Sequence, residues 1–308
     1  MIPCAACGGP LDERPVLRSF DRLYGAPGDY LVAICPACGS GRTLPLVSSD
    51  ELGGLYPSQY DAHGLPANPV LRRLATKLFE RRYRRALASE PFSALAERPA
   101  GRLLDVGSGR GDLGVVLGRL GWRVTGLEPS PEAVAEARKR GLESEPGTLT
   151  AGPPPADDYD AVVFSHSLEH VVEPFEDLSV AHRLLRPGGL VLITLPNFGS
   201  WQARRFGSRW FHLDLPRHRT HFTERGLEAL LRRTGFSGIR LATSTSADGL
   251  PMSVQYRVLG HRRLAAGAGR YASIAAALVL VPVTVAADKV AGAGDLLHAV
   301  ADKPQGAN

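Results

Sequence analysis

The segment Leu103-Leu-Asp-Val-Gly107-Ser-Gly109-Arg-Gly111-Asp112 constrains this 308-residue chain more than any other. An apolar run stops at three glycines set at alternate positions, and a helix-forming stretch follows. Glycine has no Cβ, so such a loop turns sharply and lets a ligand approach the backbone. Seventeen residues beyond Gly111, a second apolar run ends in Leu127-Glu128-Pro129. A carboxylate at the end of the second strand of a βαβ unit can accept hydrogen bonds from both hydroxyls of an adenosine ribose.

From Gly101 onward strand and helix patterns alternate. Strands are predicted at Arg102–Val106, Arg123–Leu127, Tyr159–Phe164, Leu190–Leu195 and Gly238–Thr245, with a last one at Asp295–Ala301. Helices are predicted at Asp112–Leu120, Pro131–Arg140, Pro174–Leu185 and Thr223–Thr234. Such alternation implies right-handed crossovers and a mostly parallel sheet. Two cofactors fit it. Gly109-Arg-Gly111-Asp-Leu-Gly114 also reads as G-x-G-x-x-G, the dinucleotide fingerprint. In that reading the strand runs to Ser108 and Asp105 is inside the sheet. For a sulfonium nucleoside, Asp105 sits at the strand end facing the cofactor's amino-acid portion, and no pyrophosphate needs a cradle. An NAD-dependent oxidoreductase and a non-catalytic cofactor-binding scaffold remain the alternatives at this point.

Five ordered motifs narrow the choice. Leu104 to Gly111 resembles motif I of class I S-adenosylmethionine-dependent methyltransferases, and Gly126-Leu-Glu-Pro-Ser130 resembles motif II. Asp158-Tyr-Asp-Ala-Val-Val-Phe-Ser-His-Ser-Leu-Glu-His170 is similar to that family's fourth strand and following loop. Arg183-Leu-Leu-Arg-Pro-Gly-Gly-Leu190 is similar to the turn before its fifth strand. Phe211 to Thr223 and Thr234-Gly-Phe236 match one broad subgroup, so the resemblance covers about residues 100–246. It implies a Rossmann-like α/β fold with a seven-stranded sheet, S-adenosyl-L-methionine as cofactor, and methyl transfer as the activity. Gly107, Gly109 and Gly111 would line the methionine and ribose side, and Glu128 the ribose hydroxyls. Gly147-Thr148-Leu149 would lie against adenine, with no acidic residue there. Asp105, Ser108, Pro129 and Ser165 complete the expected cofactor set.

The acceptor side is less specified. A hydroxyl acceptor needs a base, and histidine suits neutral pH. His166, His170, His218 and His221 are the candidates. His166-Ser-Leu-Glu-His170 also matches H-x-x-E-H, a zinc-protease pattern that needs both histidines on one long helix. Here a predicted strand runs up to that segment, which disfavours it. The expected reaction is O-methylation of a small-molecule, sugar, glycan or lipid-linked acceptor, with no nucleic acid as partner.

All four cysteines precede residue 40, as Cys4-Ala-Ala-Cys7-Gly and Cys35-Pro-Ala-Cys38-Gly. Two Cys-x-x-Cys turns can supply a tetrahedral Zn(Cys)₄ site, and with all four positions filled the role of zinc would be structural. Three parts follow: a zinc-binding module at 1–45, a linker with a basic amphipathic helix at 46–98, and a methyltransferase domain at 99–308. The domain carries an apolar insertion at about 250–293, and its core is expected beyond residue 99. The basic helix, Pro69 to Leu87, carries seven cations, and the chain's net charge is +5. Met1-Ile2-Pro3-Cys4 has neither the charged start nor the apolar run of a signal peptide, so a cytoplasmic protein is expected. The uncharged run Tyr271–Ala287 has 17 residues, short of the ~20 that cross a bilayer. With Arg257, His261, Arg262, Arg263 and Arg270 before it, peripheral membrane contact is the further expectation.

Overall fold

The computed structural model describes residues 2–11, 15–48, 51, 54–55, 91–152, 158–261 and 282–305. The basic helix at 69–87 and most of the apolar run, 271–281, lie outside the described residues.

Seven strands form the main sheet: β4 (Arg102–Val106), β5 (Arg123–Glu128), β6 (Glu143–Pro146), β7 (Tyr159–Ser165), β8 (Leu185–Pro196), β10 (Ser237–Ser244) and β11 (Leu296–Asp302). Their order is β10-β11-β8-β7-β4-β5-β6. Strands β4 to β8 pair in parallel, while β11 runs antiparallel between β8 and β10. The centre is Val/Ile/Leu-rich because helices cover both faces. Leu103, Leu104, Val162, Phe164, Leu192 and Ile193 are all fully buried. The chain steps outward from β4 through β5 to β6, then returns to β7 on the other side of β4. Open sheets bind ligands at such a switch point, outside the carboxyl ends of the strands.

The longer helices among the described residues are α1 (Asp112–Gly118), α2 (Pro131–Lys139), α3 (Pro174–Leu184), α4 (Trp201–Phe206), α5 (Glu224–Arg233) and α6 (Gly249–Leu259), with a further helical stretch at 282–291 and a single turn at Ser93–Ala96. Local chemistry sets their starts. Ser130 caps α2 by accepting from the Ala133 amide, and Pro131 follows at the first helical position. Thr223 caps α5 through the Gly226 amide. Helix α5 is amphipathic and buries Leu227, Leu230 and Leu231 against the sheet.

The predicted elements appear with small shifts at their ends. Helix α1 stops at Gly118 instead of Leu120. Strand β8 begins at Leu185, five residues early, because Leu185 pairs with Tyr159; the register then shifts and the ladder resumes at Leu190 opposite Ala161.

A second sheet, of order β1-β2-β3-β9, joins β1 (Pro15–Ser19), β2 (Tyr30–Ile34) and β3 (Gly41–Leu44) to β9 (Thr220–His221). Its fourth strand thus comes from the chain beyond α4. The core does not stop at residue 99 as expected. Cys4, Ala6, Leu11, Ala33, Cys35 and Cys38 belong to the same apolar cluster as Leu104, Phe164 and Ile193. The physical reason is α5, whose two sides are both engaged. Leu227, Leu230 and Leu231 pack in that cluster, the Arg233 guanidinium donates to the Ala6 carbonyl, and the capping Thr223 hydroxyl donates to the Cys38 carbonyl at 2.7 Å.

Candidate active site

Strand β4 ends at Val106, and Gly107 then turns the chain with φ +72. The strand therefore stops short of Ser108, the arrangement of the sulfonium-nucleoside reading. Gly109 (φ +53) and Gly111 (φ +77) are also left-handed, a region that favours glycine. A Cβ on Gly107 would strike Ser167, and one on Gly111 would strike Leu142, whereas one on Gly109 meets nothing within 4 Å. The loop is packed on both flanks and open in the middle.

Glu128 braces that opening. One carboxylate oxygen accepts from the Gly109 amide at 2.9 Å, the other from the Ser130 amide at 2.9 Å. Burial raises its pKa, and those two amides pull against the rise. Pro129 sits between it and the Ser130 cap. Asp105 lies beneath, 2 % exposed, with Oδ2 lacking any hydrogen-bond partner. Burial, then the nearby Glu128 charge, pushes its carboxyl up to about 7. Ser108 Oγ is likewise buried without a partner. Gly147 follows β6 with φ +142 and donates to the Glu128 carbonyl, which brings Thr148 and the buried Leu149 beside the loop. Ser165 closes β7 opposite Thr194. The predicted cofactor residues therefore gather at the carboxyl edge of β4, β5, β6 and β7. A glycine cradle, a ribose-height carboxylate and an orphaned buried acid fit a cationic nucleoside: Glu128 would hold the ribose, Gly107, Gly109 and Gly111 the methionine side.

Three of the four candidate histidines meet beside this loop. His166, at the end of β7, adopts φ +55 and donates its amide to Thr194. A non-glycine residue held there is a strain that structures keep mainly at functional sites. Ser167 then donates to the Val106 carbonyl at 2.6 Å and pins the turn Leu168–His170 to the glycine loop. His170 and His218 meet edge to face with ring centroids 4.6 Å apart. Glu169 lies among the three rings, 3.7 Å from His166 Nδ1 and 4.0 Å from His218 Nε2. Burial works to raise its pKa, but His166, His170 and His218 outweigh this and hold it at about 2. Burial, then His170, pushes His218 down to about 4.

His221 sits apart, on β9. Its Nε2 donates to the Thr43 hydroxyl at 2.9 Å, whose proton goes to the His218 carbonyl at 2.6 Å. Burial pushes His221 down to about 3. It braces β9 against β3 within the second sheet.

Sequence reasoning assigns no role to Glu169, Asp21, Asp214 or Arg217. Buried Arg217 donates to Asp21 at 2.7 and 2.9 Å and to Asp214 at 2.6 and 3.0 Å. Its carbonyl meets His170 Nδ1 at 3.1 Å, and the Arg219 amide donates to the Glu169 carbonyl. A buried arginine was unforeseeable from local pattern because its partner Asp21 lies 196 residues away.

At the N-terminus the two cysteine turns are near copies. Gly8 (φ +77) donates back to the Cys4 carbonyl at 2.9 Å, and Gly39 (φ +76) to that of Cys35 at 2.8 Å. The four sulfurs lie within 4.8 Å of one another, with Cys4–Cys38 at 3.7 Å and Cys7–Cys35 at 3.5 Å. Disulfide sulfurs bond at ~2.05 Å, whereas four sulfurs around zinc at ~2.3 Å stand about 3.8 Å apart. The cluster fits a tetrahedral cation.

Comparison with known proteins agrees with this geometry. A family model described as a methyltransferase domain matches residues 79–241. The chain is 31% identical over 198 residues to a ubiquinone biosynthesis O-methyltransferase of Xanthomonas oryzae pv. oryzae, covering 61% of this chain and 77% of that one. It is 33% identical over 231 residues to a 37.1 kDa protein of transposon TN4556 from Streptomyces fradiae, covering 65% and 66%. A solved structure from Galdieria sulphuraria, a candidate sarcosine dimethylglycine methyltransferase, superposes with TM-score 0.50 at 14% identity, covering 76% and 88%, and shares the fold. The chain belongs to the methyltransferase-domain family and is an S-adenosylmethionine-dependent methyltransferase of class I fold.

Proposed function

We propose that this enzyme methylates an oxygen of a small-molecule acceptor: a sugar, glycan or lipid-linked hydroxyl compound. The observation that carries the reading is the group of three imidazoles around Glu169, set beside the glycine loop at the switch point of the sheet. The cofactor supplies an electrophilic methyl group on sulfonium. The chain's own work is to align the acceptor and take its proton. Much of the rate of an in-line displacement comes from that positioning. His166, whose side chain is 47% exposed, is the ring that an incoming hydroxyl can reach, and it is the proposed base. His170 and His218 orient Glu169 and the acceptor. The O-methyltransferase names of the relatives in ubiquinone biosynthesis support oxygen as the target.

Apolar side chains support a hydrophobic or lipid-linked acceptor. Val254, Val258 and Leu259 of α6 face outward, as do Val283 and Val290 of the 282–291 helix. They flank residues 262–281 on both sides. Among the described residues no helix is long and apolar enough to cross a membrane. The expected result is that the protein floats with anionic liposomes and methylates a membrane-carried acceptor faster than its water-soluble headgroup. Mass spectrometry of the product should place the methyl on oxygen. An N- or C-methyl product overturns the oxygen assignment, and protein that stays at the bottom of the gradient with both anionic and neutral vesicles overturns the membrane one.

The four-cysteine cluster is proposed to hold one structural zinc. Elemental analysis should find one zinc per chain in reduced protein, and Cys35→Ser should lose it. Metal-free reduced protein would refute this.

A further inference from the structure

Glu169 is only 2 % exposed, and neither Oε1 nor Oε2 has a hydrogen-bond partner. A buried charge persists only when something offsets it. Three imidazoles surround it, and the ligand atoms of Glu169, His170 and His218 all lie within 4.8 Å of one another. The backbone decides which ring nitrogens point inward. His218 Nδ1 lies 2.8 Å from the His212 carbonyl, and His170 Nδ1 lies 3.1 Å from the Arg217 carbonyl. A carbonyl only accepts, so Nδ1 carries the proton in both rings and Nε2 is the lone-pair nitrogen of the neutral form. Metal-bound histidines are held in this way, with the second ring N–H on a backbone carbonyl. His218 Nε2 is turned toward the carboxylate oxygens of Glu169 at 4.0 Å and Asp214 at 3.9 Å. A proton or a metal cation at that nitrogen offsets the buried carboxylate charge.

We propose that Glu169, His170 and His218, with His166 on the open side, bind one divalent transition-metal ion, separate from the four-cysteine site. Three imidazoles and one carboxylate select Mn²⁺, Fe²⁺, Co²⁺ or Zn²⁺ over Mg²⁺ and Ca²⁺, which prefer all-oxygen sites. Metal bonds of about 2.1 Å put neighbouring donors roughly 3–3.4 Å apart, so the 3.7 and 4.0 Å separations close by about half an ångström on binding. Half-exposed His166 is the ligand with room to move. Resting on the O-methylation reading, the ion would bind the acceptor hydroxyl and lower its pKa, as metals do for bound water; His166 would then serve as a ligand in place of a base, and the hydroxyl proton would leave to water. A single proton shared between imidazole and carboxylate would satisfy the same contacts, and counting metal separates the two cases.

The test is equilibrium dialysis of the full chain against Co²⁺, with metal counted per chain and S-adenosylhomocysteine titrated in parallel. Wild-type protein should bind two ions. One should give intense sulfur-to-cobalt charge transfer, and the other only weak bands of nitrogen and oxygen donors. Cys35→Ser should remove the first and Glu169→Gln the second. His166→Ala, a half-exposed change that leaves the buried cluster in place, should weaken the second ion about tenfold or more. Binding of S-adenosylhomocysteine with only one ion per chain would overturn this inference and leave the methyltransferase reading standing. So would an unchanged second ion in both Glu169→Gln and His166→Ala, or preference for Mg²⁺ over Co²⁺. Failure to bind S-adenosylhomocysteine at all would instead count against the enzyme reading.

Discussion

Glu128→Ala is expected to weaken S-adenosylhomocysteine binding by about 1.5–3 kcal/mol, roughly tenfold or more, because hydrogen bonds to a charged group are worth that much. The structure adds a second loss. The same carboxylate accepts from the Gly109 and Ser130 amides, so removing it also frees the middle of the glycine loop. Glu128→Gln keeps one acceptor oxygen and should fall between alanine and wild type. Gly109→Val should be worse than either. Its φ of +53 is unfavourable for a β-branched residue, by about 1–3 kcal/mol, and its side chain would project into space left open by the fold. Strain and obstruction can be told apart. Gly141 is equally left-handed (φ +85) with nothing within 4 Å of a Cβ, but it lies at the far end of α2. Gly141→Val should lower thermal stability and leave ligand affinity alone. Calorimetric titration is the measurement, and wild-type affinity in both Glu128→Ala and Gly109→Val would contradict this cofactor site.

The centre of the main sheet was legible in the sequence because its strands are apolar runs, whereas edge strand β6, Glu-Ser-Glu-Pro, has no apolar run and no predicted range. Strands β4, β7 and β8 are buried on both faces, so their composition alone marks them. The cofactor side was legible for a related reason: glycines and a strand-end carboxylate act through local backbone geometry. In the second sheet only β2, Tyr-Leu-Val-Ala-Ile, has the apolar composition of a strand. Strands β1, β3 and β9 read Pro-Val-Leu-Arg-Ser, Gly-Arg-Thr-Leu and Thr-His, too short and polar to carry a period. They exist because distant segments pair, Gly41 with His221 and Arg42 with Thr220. The histidines show the same division. All four stood out as candidates, but only the three-dimensional path of residues 211–221 brings His218 to Glu169 while sending His221 to Thr43. Glu169 itself sits in a short turn whose sequence gives no sign that its carboxylate will be dry.

The largest loss of stability is expected from Asp21→Ala. Arg217 and Asp21 are fully buried and make a two-point contact, with Asp214 holding the other edge of the guanidinium. Breaking such a pair from one side leaves a buried charge poorly matched, which costs about 3–5 kcal/mol. Asp21 also accepts from the Leu23, Tyr24 and Ala26 amides, so the turn between β1 and β2 loosens too. The exposed pair Arg18–Asp29, 3.0 Å apart with side chains 71% and 63% exposed, is the control, and Asp29→Ala should cost under about 1 kcal/mol. The pH dependence carries its own sign. Burial opposes ionisation of Asp21, but Arg217 and the turn amides outweigh it and hold the folded pKa below 3.8. A carboxyl with a depressed folded pKa stabilises above its unfolded value and loses that stabilisation as the pH falls through the folded one. The gap between wild type and Asp21→Ala should therefore be constant from about pH 5 to 8 and narrow in acid. The consequence reaches the active site, because Arg217 and Arg219 hold the His170 ring and the Glu169 backbone. Denaturant unfolding should show one transition with the cysteine module and the main sheet melting together. Equal losses in Asp21→Ala and Asp29→Ala would mean that this ion pair does not hold the β1–β2 turn to the segment before β9.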